Sequence, residues 1–90
     1  MNAQALVAWN LRRLRVRCGL SQEALAVDAE IDRTYVSRLE RGLENPTVAV
    51  IERLAIALKS EISEFFVVPS EGAPPLPILP KGRKPKIKAT

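Results

Sequence analysis

The sequence has 90 residues, 47% of them hydrophobic and 27% charged, and a formal net charge of +4. This length suits one small domain with a single core. With no histidine, one cysteine, no glycine-rich phosphate loop and no cluster of metal ligands, the sequence does not favour an enzyme, and we expect neither a cofactor nor a bound metal.

Charge and proline are distributed unevenly along the chain. Residues 1–69 contain nine Lys/Arg and nine Asp/Glu, so the whole +4 comes from residues 70–90. Six of the seven prolines lie from Pro69 onward. We therefore predict a folded domain over residues 4–68 and a flexible, Pro-rich basic tail over residues 69–90. Because the folded part is neutral overall, an anionic partner must be held there by a local patch.

The first predicted helix covers residues 4–17. Val7, Leu11, Leu14 and Cys18 follow one another at helical spacing and form a core stripe, which places Cys18 as a small buried side chain. Glycine at position 19 favours the end of this helix. The opening residues resemble neither a secretory signal nor a membrane span, so we expect a cytoplasmic protein.

Two short helices follow, joined by a tight turn. Ser21 and Asp32 are both suitable N-cap residues, able to accept a hydrogen bond from a free backbone N–H in the helix that each precedes. Gly42 favours the end of the second of these helices. Helices this short are marginal in isolation, so the flanking helices must cover them.

Two more helices complete the predicted all-α fold. Thr47 is the expected cap of a fourth helix, which has a strong apolar stripe and continues through Lys59. Ser60 is the expected cap of a short fifth helix, and Pro69 stops any continuation. The sequence thus predicts five helices and no strands.

The segments LSQEALA, DRTYVSRLERG and NPT together resemble the helix-turn-helix domain of lambda-repressor-like (Cro-type, XRE) regulators. The resemblance covers roughly residues 6 to 66 and is strongest to the controller proteins of restriction-modification systems. It implies a compact five-helix domain and a sequence-specific, double-stranded DNA-binding transcriptional regulator, a repressor that regulates its own gene. Glu30 departs from the family, which usually has glycine in this turn, at a cost of about 1 kcal/mol if a positive φ is kept.

The resemblance also implies roles for individual residues. The third helix corresponds to the recognition helix of the family, which lies in the major groove. Arginine there can bond guanine O6 and N7 together, and threonine offers both a methyl and a hydroxyl group. The implied base-reading residues are Arg33, Thr34, Ser37 and Arg38; the implied phosphate contacts are Gln22, Arg13, Arg41 and Asn45; and Arg15 and Glu40 are the implied structural ion pair.

A single recognition helix reads one half-site, so we expect a homodimer on an inverted-repeat operator. Some apolar residues lie outside the main core stripes and predict the dimer interface, although the same residues could simply complete the core. They are Val50, Ile56, Phe66 and Val68.

The tail, APPLPILP followed by KGRKPKIK, allows two interpretations. It is either a solubilising extension or a DNA-binding arm whose contacts are Lys81, Arg83, Lys84 and Lys86. An alternative function also stays open at this point: an antitoxin-type regulator whose tail binds a partner protein.

Overall fold

A computed structural model describes residues 1–69, and within them it contains four α-helices, one 3₁₀ helix and no strand. The all-helical prediction is confirmed for this part of the chain, whereas the tail predicted beyond it lies outside the described residues. The helices are α1 (Ala3–Cys18), α2 (Gln22–Ala29), α3 (Arg33–Glu40), α4 (Val48–Leu58) and the 3₁₀ helix Ile62–Phe66.

Side-chain caps begin α2 and α4 where the sequence predicted them. Ser21 Oγ accepts a hydrogen bond from the Ala24 N–H at 3.0 Å, and Thr47 Oγ1 accepts one from the Val50 N–H at 3.1 Å. Asp32 occupies the N-cap of α3 as predicted, but its side chain makes no capping bond, so only the expected hydrogen bond is wrong. Its backbone ψ is 139°, against 166° at Ser21 and 163° at Thr47, and its side chain is exposed.

The predicted fifth α-helix is instead a 3₁₀ helix, and Ser60 is not its cap. The cap is Glu61, which makes no side-chain capping bond. Lys59 takes the left-handed conformation with φ at 54°, and the Ser60 N–H then bonds to the Ala55 carbonyl at 2.9 Å. Ser60 therefore belongs to the end of α4. The five residues that follow form the tighter 3₁₀ turns, which proteins use in short pieces.

All four α-helices and the 3₁₀ helix contribute to one core. Its most enclosed apolar side chains, each no more than 2% exposed, are Leu11, Leu14, Leu25, Val36, Leu39, Leu54, Ala55 and Phe65. Cys18, the last residue of α1, is exposed rather than buried, and its Sγ donates a hydrogen bond to the Leu58 carbonyl oxygen of α4 at 3.4 Å. Within residues 1–69, no helix combines the length and the apolar character needed to cross a membrane.

A fully buried asparagine fastens the 3₁₀ helix to α1. Asn10 Nδ2 donates to the carbonyl oxygens of Phe65 at 3.0 Å and Val67 at 2.9 Å, as well as to Leu6 in its own helix. Its Oδ1 accepts a bond from Arg13 Nε at 3.0 Å. The bonds to Phe65 and Val67 supply a donor to two backbone carbonyls at the end of the described part of the chain. The end of the domain is thereby held against the first helix.

Candidate nucleic-acid interface

The turn between α2 and α3 sets the direction of α3. Glu30 has a positive φ of 60°, one of the two possibilities that the sequence left open, and the Ile31 N–H bonds back to the Ala26 carbonyl at 3.0 Å. Arg53 from α4 donates through Nη2 to the Glu30 carbonyl oxygen at 2.6 Å. A non-glycine residue therefore occupies the turn in a left-handed conformation that tertiary contacts hold in place.

Helix α3 buries one face and presents the other. Val36 and Leu39 are no more than 2% exposed and pack in the core. The four predicted base-reading residues lie on the remaining face, with Arg33 and Thr34 exposed and Ser37 and Arg38 half-buried. Positions 33 and 37, like positions 34 and 38, are four residues apart, which is about one helical turn, so the helix brings the four side chains together on one surface.

Tyr35 lies at the edge of this surface, half-buried against the core. Burial raises the pKa of its phenol above the ordinary value, and the nearby negative charge of Glu44 raises the pKa further. The hydroxyl therefore stays protonated at neutral pH and can donate a hydrogen bond.

A buried polar network supports α3 from behind. Arg15 in α1 donates to Glu40 at the end of α3 through Nε at 2.5 Å and through Nη2 at 2.9 Å. Their side chains are 6% and 3% exposed. Gln22, the first residue of α2, donates to the same carboxylate at 3.1 Å. The Glu40 carboxylate therefore connects α1, α2 and α3, and it fixes α2 and α3 relative to each other.

Three of the four predicted phosphate contacts border the exposed face of α3. Arg41 and Asn45 are exposed immediately after α3, and Gln22 begins α2 with its side chain oriented by Glu40. Arg13 is placed elsewhere. It forms an ion pair with Glu64 of the 3₁₀ helix at 3.1 Å, and its guanidinium lies 5.6 Å from the centre of the Trp9 ring.

The four apolar residues predicted at a dimer interface differ in exposure. Ile56 is 70%, Phe66 46% and Val68 75% exposed, whereas Val50 is half-buried against the core. Three of the four are thus available to a partner.

Sequence reasoning missed one polar residue of this surface. Glu44, in the loop between α3 and α4, accepts a bond from Arg38 Nε at 2.6 Å. The only local signal was Gly42, whose positive φ of 73° reverses the chain between the two residues. Which side chains meet after such a reversal depends on the loop conformation, and the sequence spacing does not specify it.

Two short helices joined by a tight turn, the second with its polar face exposed and its apolar face in the core, define a helix-turn-helix DNA-binding unit. A family model described as a helix-turn-helix domain matches residues 6–62. The chain belongs to the XRE-type helix-turn-helix family of DNA-binding transcription regulators.

Relatives of known structure include transcription factors and restriction-modification controllers. A hypothetical transcription factor of Neisseria meningitidis is 41% identical over 68 residues, which are 76% of this chain and 64% of that protein. The crystal structure of a Neisseria hypothetical transcription factor superposes with a TM-score of 0.73 at 40% identity, covering 76% of this chain and 78% of its own. This chain therefore spans just under two thirds of the first relative's length.

The restriction-modification controller C.AhdI from Aeromonas hydrophila is 43% identical with a TM-score of 0.68, over 70% of this chain and 96% of its own. The controller C.Esp1396I is 30% identical with a TM-score of 0.68, over 73% and 87% of the two chains, and its structure is that of a tetramer bound to its natural 35-base-pair operator.

Proposed function

We propose that this protein is a sequence-specific regulator that represses transcription, including that of its own gene, by binding an inverted-repeat operator as a dimer. The observation that carries this proposal is the surface of α3. Four side chains able to bond base edges, Arg33, Thr34, Ser37 and Arg38, share one face, and a buried network holds the helix behind them. An α-helix presented in this way fits the major groove.

The dimer is proposed to form through the exposed apolar residues at the end of the domain. Ile56, Phe66 and Val68 are apolar and exposed, and apolar side chains that form one exposed patch mark sites of protein association. Association of protomers, though not the choice of these residues, is supported by the tetrameric state of the operator-bound relative. Relatives that are transcription factors and controllers favour this function over the antitoxin-type alternative.

The first test is binding to a duplex containing the DNA upstream of the protein's own gene, compared with random DNA of equal length. We expect preferential binding with two protomers per operator, measured by fluorescence anisotropy and analytical ultracentrifugation. Equal affinity for both duplexes would contradict the proposal. A fall in reporter transcription when the protein is supplied would establish repression, and a rise would replace repression by activation.

Arg38→Ala is expected to weaken binding to the specific duplex by about 1–3 kcal/mol and to relax the preference at one base pair, because direct readout by arginine is removed. Arg17→Ala removes an equal charge from the exposed last turn of α1 and serves as the matched control. Unchanged affinity in Arg38→Ala would remove this residue from the base-reading set.

The basic tail is proposed to act as a DNA arm. Replacing Lys81, Arg83, Lys84 and Lys86 with glutamine in the full chain is expected to flatten the dependence of log K on log salt concentration, by roughly 0.9 for each phosphate that the tail no longer neutralises. The sequence preference should stay unchanged, because phosphate contacts do not read bases. An unaltered salt slope would leave the tail as a solubilising extension.

A further inference from the structure

Glu44 lies next to the proposed base-reading surface and contacts one of its members. The Leu43 N–H bonds to the Arg38 carbonyl oxygen at 3.0 Å, which folds the loop after α3 back onto that helix. Glu44 Oε2 then accepts a bond from Arg38 Nε at 2.6 Å. The two side chains are 30% and 43% exposed, so the pair lies at the surface and remains accessible.

The loop that carries Glu44 is itself anchored. Gln4, in the first turn of α1, donates through Nε2 to the backbone carbonyl oxygen of Glu44 at 3.0 Å. The bond involves the backbone, so it holds the loop in place whatever side chain is present at position 44.

An exposed ion pair of this kind contributes little to stability. A carboxylate on a surface that faces phosphates also opposes binding by repulsion. The geometry nevertheless suits recognition. Glu44 engages Nε of Arg38, and among residues 1–69 neither terminal nitrogen, Nη1 or Nη2, has a hydrogen-bond partner, so both are available in the plane that the Nε bond orients. These two nitrogens together match the O6 and N7 acceptors of guanine.

We propose that Glu44 determines specificity as a positioning residue, acting through Arg38 by orienting its guanidinium for guanine. This inference rests on the proposed function and names the contact by which one base pair is read. Without the carboxylate, Arg38 can rotate and bond any phosphate or base acceptor within reach. Guanine preference falls while general DNA affinity is kept.

The test uses the full chain and duplexes selected by the protein from a randomised library. The base pair read by Arg38 is the one whose preference disappears in Arg38→Ala. Dissociation constants are then measured for all four base pairs at that position with Glu44→Ala. We expect the preference for guanine to fall about fivefold or more, while affinity for random DNA changes by about twofold or less.

Three further variants test whether a loss of preference comes from Glu44 acting through Arg38. Glu44→Gln keeps an acceptor for Arg38 Nε and should retain part of the preference. The double variant Arg38→Ala/Glu44→Ala should lose no more preference than Arg38→Ala alone, since Glu44 acts through Arg38. Asp28→Ala removes an exposed negative charge from α2 and should leave the preference unchanged. Thermal midpoints verify that every variant folds.

Several outcomes would overturn the inference. Tighter binding with unchanged preference in Glu44→Ala would show that Glu44 only competes with DNA for Arg38. Loss of preference at a different base pair would show that Glu44 reads DNA itself, for instance by accepting a bond from cytosine N4. Unaltered binding would show that the pair has no role. If the wild-type chain selects no sequence at all, the proposed function fails first, and this inference with it.

Discussion

Replacing Glu40 with alanine is expected to lower the free energy of unfolding by about 3–5 kcal/mol, the usual cost of removing one partner from a buried ion pair. Arg15 would be left 5% exposed with an uncompensated charge. Gln22 would lose the same acceptor. Chemical denaturation monitored by circular dichroism measures the change. Because Glu40 connects α1, α2 and α3, specific DNA binding should weaken in the same variant.

Two controls separate burial from charge. Glu64→Ala removes the acid of the more exposed Arg13 pair, whose side chains are 23% and 37% exposed, and should cost less than about 1 kcal/mol. The double variant Arg15→Met/Glu40→Met removes both buried charges and should be close to wild type or more stable. A Glu40→Ala loss no larger than that of Glu64→Ala would contradict the assigned role of the buried network.

Asn10→Leu is expected to destabilise the domain by about 2–3 kcal/mol, because the substitution keeps the branching of the side chain but leaves backbone carbonyls without its donor. The affected carbonyls are those of Phe65 and Val67, which flank Phe66. Loosening this segment should also weaken self-association through Phe66 and Val68. Urea denaturation measures the first effect, and sedimentation equilibrium measures the second.

Asn45→Leu supplies the matched comparison for this prediction. It makes the same chemical change at an exposed loop position and should alter stability by no more than about 0.5 kcal/mol. A stable Asn10→Leu variant with undiminished self-association would show that the 3₁₀ helix is held by apolar packing of Phe65 alone.

The helices were predictable because their apolar residues and caps are local signals. Ser21 and Thr47 accept backbone bonds one turn into the following helix, and this geometry depends on only a few neighbouring residues. The predictions for individual residues were wrong where two local signals compete. Ser60 could cap a helix, but Lys59 before it is left-handed, and the Ser60 N–H therefore bonds back into α4 and ends that helix. Cys18 fits the apolar stripe of α1, yet it lies past the part of that helix which the core covers.

In the candidate site, too, some features follow from local sequence and others depend on tertiary packing. Positions 33, 34, 37 and 38 share a face because of helical periodicity alone, so the sequence was sufficient to group them. Arg13 also lies on a helix rich in arginine, but only the packing of the 3₁₀ helix onto α1 brings Glu64 within 3.1 Å of it. Charge patterning therefore identified the basic residues and could not assign their partners.

The sequence by itself determined that this protein is all-helical over its described part, where the helix-turn-helix unit lies, and which face of α3 is polar. Periodicity, capping and family motifs are properties of short segments, so they can be recognised without knowing how the rest of the chain folds. Tertiary structure alone decided that Asn10 holds the end of the domain and that Glu44 meets Arg38. Those contacts join residues through loop reversals and helix packing, whose geometry depends on the whole core at once.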